Sequence, residues 1–479
     1  MAGARDQHTL QEIAARVQQG DLAGARQTCQ AFLDSINDVT RQAAVRAWLG
    51  KIEYRSGNFS AALVQYELAR QADKRNPHLI VQLGLAHFAL GQLEKAEPLY
   101  RKAIRVEPQL ALAHYNLGVL LQQKREFPAA RRAFEAALVH QPRFKEALNN
   151  LGNVLVVLKD LSAAERCYRE AIAVHAEFGF AYHGLGLLLM GQMRRVEALS
   201  NLRAAVNYNP EFLDGWLDLA ECQAQSGDTF AAQTTVKAVL ARDPQHAIAR
   251  FRRAMYAGEQ PESVPPEFLV HLYSDMAATF DEHLVERLGY QIPTRLVAAL
   301  KPWIEQFQAA HARQPVVLDL GCGTGLFGVQ IRPFAAQLVG VDLSSAMLEN
   351  ARARRVYDEL VTSDIETFLN TQTIAIDLIA ATDVMIYVGN LASLFSAVAT
   401  HLVDGGVFAF STETPDDLID GLYFQPSGRY AHSVRYVEQL ATANALRVIA
   451  REATVIRSEN ATAVKGFLFI LEKTALNTD

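Results

Sequence analysis

Residues 316–331 read VVLDLGCGTGLFGVQI. Val316–Leu320 is a short β-branched and leucine run that stops at a glycine-rich turn, and a helical pattern follows. This is the pattern of a strand, a tight turn and a helix. Gly321, Gly323 and Gly325 are spaced G-x-G-x-G, and Leu326 stands where a dinucleotide fingerprint needs its third glycine. Asp319 lies two residues before the first glycine. An anion there repels a passing pyrophosphate and suits a ligand with a cationic amino group. Glycine at 321 and 323 removes the Cβ atoms, so a ligand can approach the backbone.

Strand-like and helix-like segments alternate from there on. Residues 337–343 (QLVGVDL), 359–365 (ELVTSDI), 376–384 (IDLIAATDV) and 407–413 (VFAFSTE) read as strands; 344–355, 391–402 and 434–445 read as helices. Two last runs, ALRVIAREATVIR and AVKGFLFILEK, lie around the turn Ser458-Glu459-Asn460 and predict a closing antiparallel hairpin. The alternation implies an α/β, Rossmann-like, doubly wound and mostly parallel sheet. Ligands of such sheets bind outside the carboxyl ends of the strands, and there the sequence places Asp342, Asp364 and Asp383.

D-x-G-x-G-x-G at the end of a first strand resembles motif I of the class I S-adenosylmethionine-dependent methyltransferases. The later acids agree with it, and the resemblance covers about residues 267–475. It implies S-adenosylmethionine as cofactor and a set of residues that bind it. Asp319 would organise its amino-acid end, with Gly321, Cys322, Gly323 and Gly325 beside it. Asp342, 17 residues after Gly325, would accept hydrogen bonds from the ribose hydroxyls. Leu343 and Met347 would sandwich the adenine, and Asp364, next to Ile365, would contact its amine. Asp383 lies in ATDVMIYVG, which resembles the fourth-strand motif. Upstream, YSDMAATFDEHLVERLGY resembles the Y-D-x-x-A-x-x-F-D lid of this family, with Ser274 in place of the aspartate. This adds Tyr273 to the cofactor contacts and turns Phe280 and His283 toward the site.

Methyl transfer asks for in-line positioning and removal of a proton. Asp383, Glu413 and His432 are the candidate catalytic groups. Tyr387, Tyr423, Arg429 and Tyr430 are candidate substrate contacts, Arg429 as a clamp for a carboxylate. No Asn-Pro-Pro-Tyr-type sequence follows the fourth strand, where ATDVMIY stands. That argues against methylation of base or glutamine amino groups by that route.

Upstream of the lid, EQPESVPPE (259–267) marks a domain boundary by its three prolines. Before it the chain repeats itself. Leu83-Gly84, Leu117-Gly118, Leu151-Gly152 and Leu185-Gly186 recur every 34 residues, and Pro108, Pro142, Pro210 and Pro244 keep the beat. Ala62, Ala96, Ala130, Ala164, Ala198 and Ala232 share one slot; Tyr66, Tyr100, Phe134, Tyr168 and Leu202 share another. This period and pattern resemble tetratricopeptide repeats, pairs of antiparallel amphipathic helices that must stack to bury their apolar stripes. The aromatic slot is expected to fill the gap against the next helix. Six clear repeats run from 43 to 246, a divergent one lies at about 6–39, and 247–257 reads as a capping helix. The expected domains are a repeat array at 1–258, a linker at 259–266 and a methyltransferase domain at 267–479.

Asn116 and Asn150 occupy one repeat slot, with Gln82 before them and Asp218 after. The repeats of the protein O-GlcNAc transferase family carry a similar asparagine ladder that holds a peptide's main chain. The resemblance implies that Asn116 and Asn150 bind a protein or peptide on the concave face of the array. An amide can both donate to and accept from a peptide unit. Two acceptor classes follow: a protein or peptide recruited by the groove, or a small molecule, with the repeats serving as a docking scaffold.

Composition sets the outer limits. Half of the 479 residues are apolar and a fifth are charged, which excludes a mainly disordered chain. Residues 1–258 hold 31 Lys and Arg against 25 Asp and Glu, an excess of six positive charges. The net charge of the whole is −6, so the second half is strongly acidic. This speaks against nucleic acid as a partner. The four cysteines are scattered without a C-x-x-C pair, and His78, His87, His114 and His140 lack ligand spacing, so no metal site is expected. The first residues lack the apolar core of a signal peptide and no run is long enough to span a bilayer, so a cytoplasmic protein is expected.

Overall fold

The structure, a computed structural model, describes residues 2–474 except 37, 262, 278–279, 372–374, 416–419, 426 and 460–461. It divides into two compact units, Met1–Asp228 and Thr229–Asp479.

In the first unit thirteen helices follow one another among the described residues, from Ala2–Gln18 to Leu213–Gln225. Asp21, Asp38, Asn76 and Asp160 cap helices with side-chain oxygens that accept from the backbone three residues on. The 34-residue beat is a packing contact. A Cβ at Gly50, Gly84, Gly118 or Gly152 would come closer than 3.0 Å to the ring of Tyr66, Tyr100, Phe134 or Tyr168, respectively. Each ring is at most 2% exposed. The aromatic slot therefore seats first on the preceding helix of its own repeat, and only Tyr168 among these also meets a glycine of the next repeat, Gly184. A second beat sits in the turns. Gly57, Gly91, Arg125, Lys159, Met193 and Gly227, again 34 apart, are all left-handed, with φ between 60° and 86°. The turn between the paired helices demands this conformation whether or not the residue is glycine.

The second unit opens with the helices Thr229–Arg242 and Ala247–Ala257, so the division by compactness lies ahead of the boundary expected at 258. Phe251 of the second helix is buried with Val264 and Tyr430, and its ring meets Phe268 and Phe424. The strands are β1 (Val316–Leu320), β2 (Gln337–Asp342), β3 (Glu359–Thr362), β4 (Ile376–Ala381), β5 (Leu402–Glu413), β6 (Leu422–Phe424), β7 (Tyr430–His432), β8 (Leu446–Glu459) and β9 (Thr462–Lys473). Seven form one sheet in the order β3-β2-β1-β4-β5-β9-β8, and β6 and β7 pair separately. β1 to β5 are parallel, whereas β9 runs antiparallel to both β5 and β8, the closing hairpin. The expected turn residue Asn460 lies outside the described residues.

Alternate residues of the central strands serve two cores. Leu318, Leu320, Phe408 and Phe410 pack on one face, and Val317, Val407 and Ala409 on the other, against the helix Ile292–His311. A sheet covered on both faces reads as continuous apolar runs, which is why its strands were visible in the sequence. Three strands end sooner than expected. β2 stops at Asp342, β3 at Thr362 and β4 at Ala381, and the helix Ile365–Thr371 follows β3. Beyond these ends Ser344 and Asp364 cap the helices that follow, and Asp383 turns at φ 59°. Among the described residues no helix is long and apolar enough to cross a membrane.

Candidate active site

The strand order reverses between β1 and β4, and the carboxyl ends beside that switch point hold the expected acids. Gly321, Gly323 and Gly325 all have positive φ, so the turn after β1 takes a path closed to most side chains. Cys322 is buried in it, donating its N–H to Val341 O at 2.9 Å and so tying the turn to β2. Asp342 completes the loop: its Oδ2 accepts from Gly323 N and its Oδ1 from Ser344 N, both at 2.8 Å. Burial nevertheless holds its carboxyl above the usual range. A Cβ at Gly323 would meet nothing within 4 Å. Open space thus adjoins a carboxylate that still has lone pairs to offer.

Asp319 is fully buried. Its Oδ2 accepts from the Tyr357 hydroxyl at 2.6 Å, and its Oδ1 has no partner among the described residues. Burial first, opposed by the tyrosine hydrogen bond and aided by Asp342, pushes its pKa up to about 7. Leu343 is half-buried beyond β2, and Met347 is buried on the next helix, which Ser344 caps. Asp364 accepts from Thr367 N at 2.7 Å, the cap of the helix that begins at Ile365.

The lid segment is anchored at several points. The Tyr273 hydroxyl donates to that of Tyr387, and its ring stands edge-on to Phe280 and Tyr387. Asp281 accepts from Thr324 of the glycine turn and from Arg354. Asn350 donates to Ala277 O at 2.7 Å. A π-helix, Glu282–Arg287, follows directly. Burial above all, then Tyr387 and the charges of Asp383 and Asp342, raises the pKa of Tyr273.

A second cluster gathers at the ends of β4, β5 and β8. Asp383 has φ 59°, a left-handed conformation in a residue other than glycine. Its N–H donates to Ser411 Oγ at 2.9 Å, and its Oδ2 accepts from Arg457 Nη1 at 2.9 Å. Its Oδ1 is buried and has no partner among the described residues. Burial, countered by Arg457 and reinforced by Glu413, raises its pKa to about 6. Arg457, 4% exposed, also donates Nη2 to Glu413 and Nε to Glu459. Arg429 donates Nη2 to both oxygens of Glu459 at 2.8 Å, and its Nε lies 3.1 Å from Glu413. Glu413 also accepts from Gln425 at 2.7 Å.

Several expected roles meet a different arrangement. Arg429 is already bonded to Glu459 rather than free to clamp a substrate carboxylate. Glu413 faces two guanidiniums. Tyr430 is fully buried, and its hydroxyl donates to Pro261 O, so it holds the linker. Tyr423 is half exposed on β6. His432 is fully buried in β7; its Nε2 donates to Gly389 O at 3.0 Å, which leaves Nδ1 as an acceptor without a partner among the described residues. Burial lowers its pKa, so the ring is neutral at pH 7. In the first unit Asn116 donates to Leu112 O of its own helix at 2.9 Å, and Asn150 donates to the Tyr115 hydroxyl at 3.3 Å. The sequence reading missed Arg457, Glu459, Tyr357, Thr324 and Tyr290, which burial and the charge of Asp383 hold well above the usual tyrosine pKa. Thr324 and Tyr290 stand beside glycines and Arg457 breaks an apolar run, which was the available signal; Glu459 and Tyr357 stand among polar residues and carry none.

This sheet order, with a glycine-rich turn after β1 and an acid at the end of β2, defines a class I methyltransferase fold. Comparison with known proteins agrees. Residues 291–462 match a family described as a methyltransferase domain, and residues 84–124, 118–177 and 189–255 match tetratricopeptide repeats. The chain thus joins tetratricopeptide repeats to a methyltransferase domain. It is 32% identical over 176 residues to a malonyl-[acyl-carrier protein] O-methyltransferase of Legionella pneumophila, covering 34% of this chain and 59% of that one. A ubiquinone biosynthesis O-methyltransferase of Acinetobacter baylyi is 27% identical over 156 residues, 31% of this chain and 63% of that one. A trans-aconitate 2-methyltransferase of Paracidovorax citrulli is 35% identical over 123 residues, 24% of this chain and 46% of that one. The chain therefore spans less than two thirds of each relative's length. The methyl donor that such a domain implies is S-adenosylmethionine. The residues present fit it: open space over Gly323, the Asp342 carboxylate beside it, and the unpaired Asp319 Oδ1 for an ammonium group.

Proposed function

We propose that the chain is an S-adenosylmethionine-dependent methyltransferase acting on a protein or peptide recruited by its repeats. The observation that carries the catalytic half is Asp342, held by Gly323 N and Ser344 N at the edge of open space. Asp342 would bind the ribose, Asp319 the amino group, and Leu343, Met347, Asp364 and Ile365 the adenine. Tyr273 would cover the site from the lid. The bound donor supplies an activated methyl group on a sulfonium. The chain's own residues orient the acceptor, exclude water and remove a proton. The recruitment half is supported by the repeats themselves, whose stacked helices present a surface unrelated to methyl transfer. Asn150 and Asn116 would contribute to it after exchanging their present partners. Small-molecule acceptors are the second reading, favoured by the small-molecule names of two of the three relatives.

One experiment tests both halves. Tritium from the methyl of S-adenosylmethionine is followed into a fractionated lysate by the full chain, by a variant lacking residues 1–228, and by Asp342→Ala. Label is expected in macromolecules and is expected to disappear with the repeats, while the truncated chain still binds S-adenosylhomocysteine by calorimetry. Label in small molecules regardless of the deletion establishes the second reading. Asp342→Ala should weaken S-adenosylmethionine binding by about 10- to 100-fold, the loss of one or two hydrogen bonds to a charged partner. An unchanged affinity overturns the ribose assignment.

A further inference from the structure

Asp383 is the residue of this site whose geometry is hardest to explain by folding alone. It is a non-glycine residue at φ 59°, immediately beyond the carboxyl end of β4. Such a conformation is unfavourable and persists only where the surroundings impose it. Here they do: Ser411 Oγ holds its N–H and Arg457 holds its Oδ2. Those two bonds leave Oδ1, buried and without a partner among the described residues. A buried carboxylate oxygen without a donor is disfavoured unless something arrives to use it.

The charges around it say what can arrive. All three donor-bearing nitrogens of Arg457 are engaged, by Asp383, Glu413 and Glu459. Arg429 faces Glu413 and Glu459. Three carboxylates thus stand against two guanidiniums, an excess of one negative charge. An incoming carboxylate would meet the Asp383 oxygen with both guanidiniums already engaged by acids, and it brings no proton. A hydroxyl or an amine brings the hydrogen that Oδ1 lacks.

Resting on the methyltransferase reading above, we infer that Asp383, positioned by Arg457, is the base of the reaction, so that the acceptor is a hydroxyl or an amine and not a carboxylate. The heteroatom of the acceptor forms a bond to the methyl carbon as the carbon–sulfur bond breaks, and that electron pair stays on sulfur. The acceptor's proton passes to Asp383 Oδ1 and leaves with solvent afterwards. Arg457 is a positioning residue, because it touches Asp383 and not the acceptor. The groups that face Asp383 are Arg457 of β8, Glu413 of β5, Arg429 ahead of β7, Tyr290 ahead of the helix Ile292–His311, Tyr273 of the lid and Tyr387 after β4. Their balance brings its pKa to about 6. The base form therefore dominates at neutral pH, and activity falls as the pH drops through that value.

The test uses the full chain, tritiated S-adenosylmethionine and a lysate as the acceptor source, with S-adenosylhomocysteine affinity measured by calorimetry on every variant. The wild-type label is expected to survive mild alkali, since ethers and methylamines are stable there and methyl esters release methanol. Asp383→Asn is expected to label about 100-fold more slowly or worse, the usual share of a general base, with S-adenosylhomocysteine affinity retained. Arg457→Lys, which cannot serve all three carboxylates, is expected to move the acid limb of the pH profile upward. Alkali-labile label overturns the inference, and so does an Asp383→Asn protein that labels like wild type. An acid limb unmoved in Arg457→Lys removes Arg457 from the scheme. A wild-type chain that binds S-adenosylhomocysteine yet labels nothing overturns the assigned base. A wild-type chain that fails to bind S-adenosylhomocysteine overturns the methyltransferase reading and this inference with it.

Discussion

The two units differ in the kind of buried polar atom left unpaired among the described residues: Asn149 Oδ1, Asn209 Nδ2 and Arg195 Nε in the repeats, carboxylate and imidazole atoms around the strand ends in the second unit. In the repeats, polar groups on neighbouring helices engage one another. Tyr66 donates to Gln82, Asn150 to Tyr115 and Tyr168 to Asn153, and His183 bonds Asp218 at 2.7 Å. In the second unit the ionisable groups around the strand ends keep unpaired atoms: Asp319 Oδ1, Asp383 Oδ1 and His432 Nδ1. A repeating scaffold meets the same local problem many times and solves it with the same short-range contacts. A reactive site has to keep donors and acceptors ready for a molecule that is not part of the chain. The repeats are therefore sensitive to shape, and the second unit is sensitive to charge.

That contrast can be broken by substitution. The largest effect is expected for Arg457→Met, which leaves Asp383, Glu413 and Glu459 without their shared partner. Removing one side of a buried ion pair costs about 3–5 kcal/mol, read as a lower melting temperature of the second unit. A fall below about 1 kcal/mol would mean that the cluster is not held by charge. In the repeats the corresponding test is Gly118→Ala. Its Cβ would lie 2.7 Å from the ring of Phe134, which is fully buried and has nowhere to swing. Overpacking of this kind costs about 1–3 kcal/mol, measurable by urea unfolding. A neutral outcome would show that the helix pair can part. The smallest effect sharpens the same picture. Lys159 is left-handed at φ 64° in the turn where other repeats use glycine. Lys159→Gly is expected to raise stability by up to about 1 kcal/mol, relief of strain less the extra entropy of glycine in the unfolded chain.

How much of this was legible in the sequence follows from the same division. The repeats were readable because their contacts are short-range and periodic: the glycine-to-aromatic seat recurs at a constant spacing. The turn beat was not, because Arg125, Lys159 and Met193 carry no chemical sign of a left-handed backbone. In the sheet, β1 matched its expected bounds from Val316 to Leu320, and the acids at the strand ends were visible as polar breaks in apolar runs. The partners of those acids were not visible. Arg457 lies 74 residues from Asp383 and 44 from Glu413, and Tyr357 lies 38 from Asp319. No local pattern links residues so far apart, since the sheet order that joins them is a property of the whole fold. The partner of Arg429 was out of sight for the same reason, because Glu459 stands 30 residues away at the end of β8.

The proline-rich linker is fastened to the site at two points. Tyr430 donates to Pro261 O, and Val264 N donates to Tyr387 O at 3.4 Å. Phe251 and Met255, from the helix ahead of that linker, sit in the same cluster. The chemical module therefore begins at the helices that the repeat pattern would assign to its neighbour. Any transplant or domain exchange that cuts at the prolines would strip the backing from Tyr387 and Tyr430, and a working graft has to carry the strand ends together with the two helices in front of them.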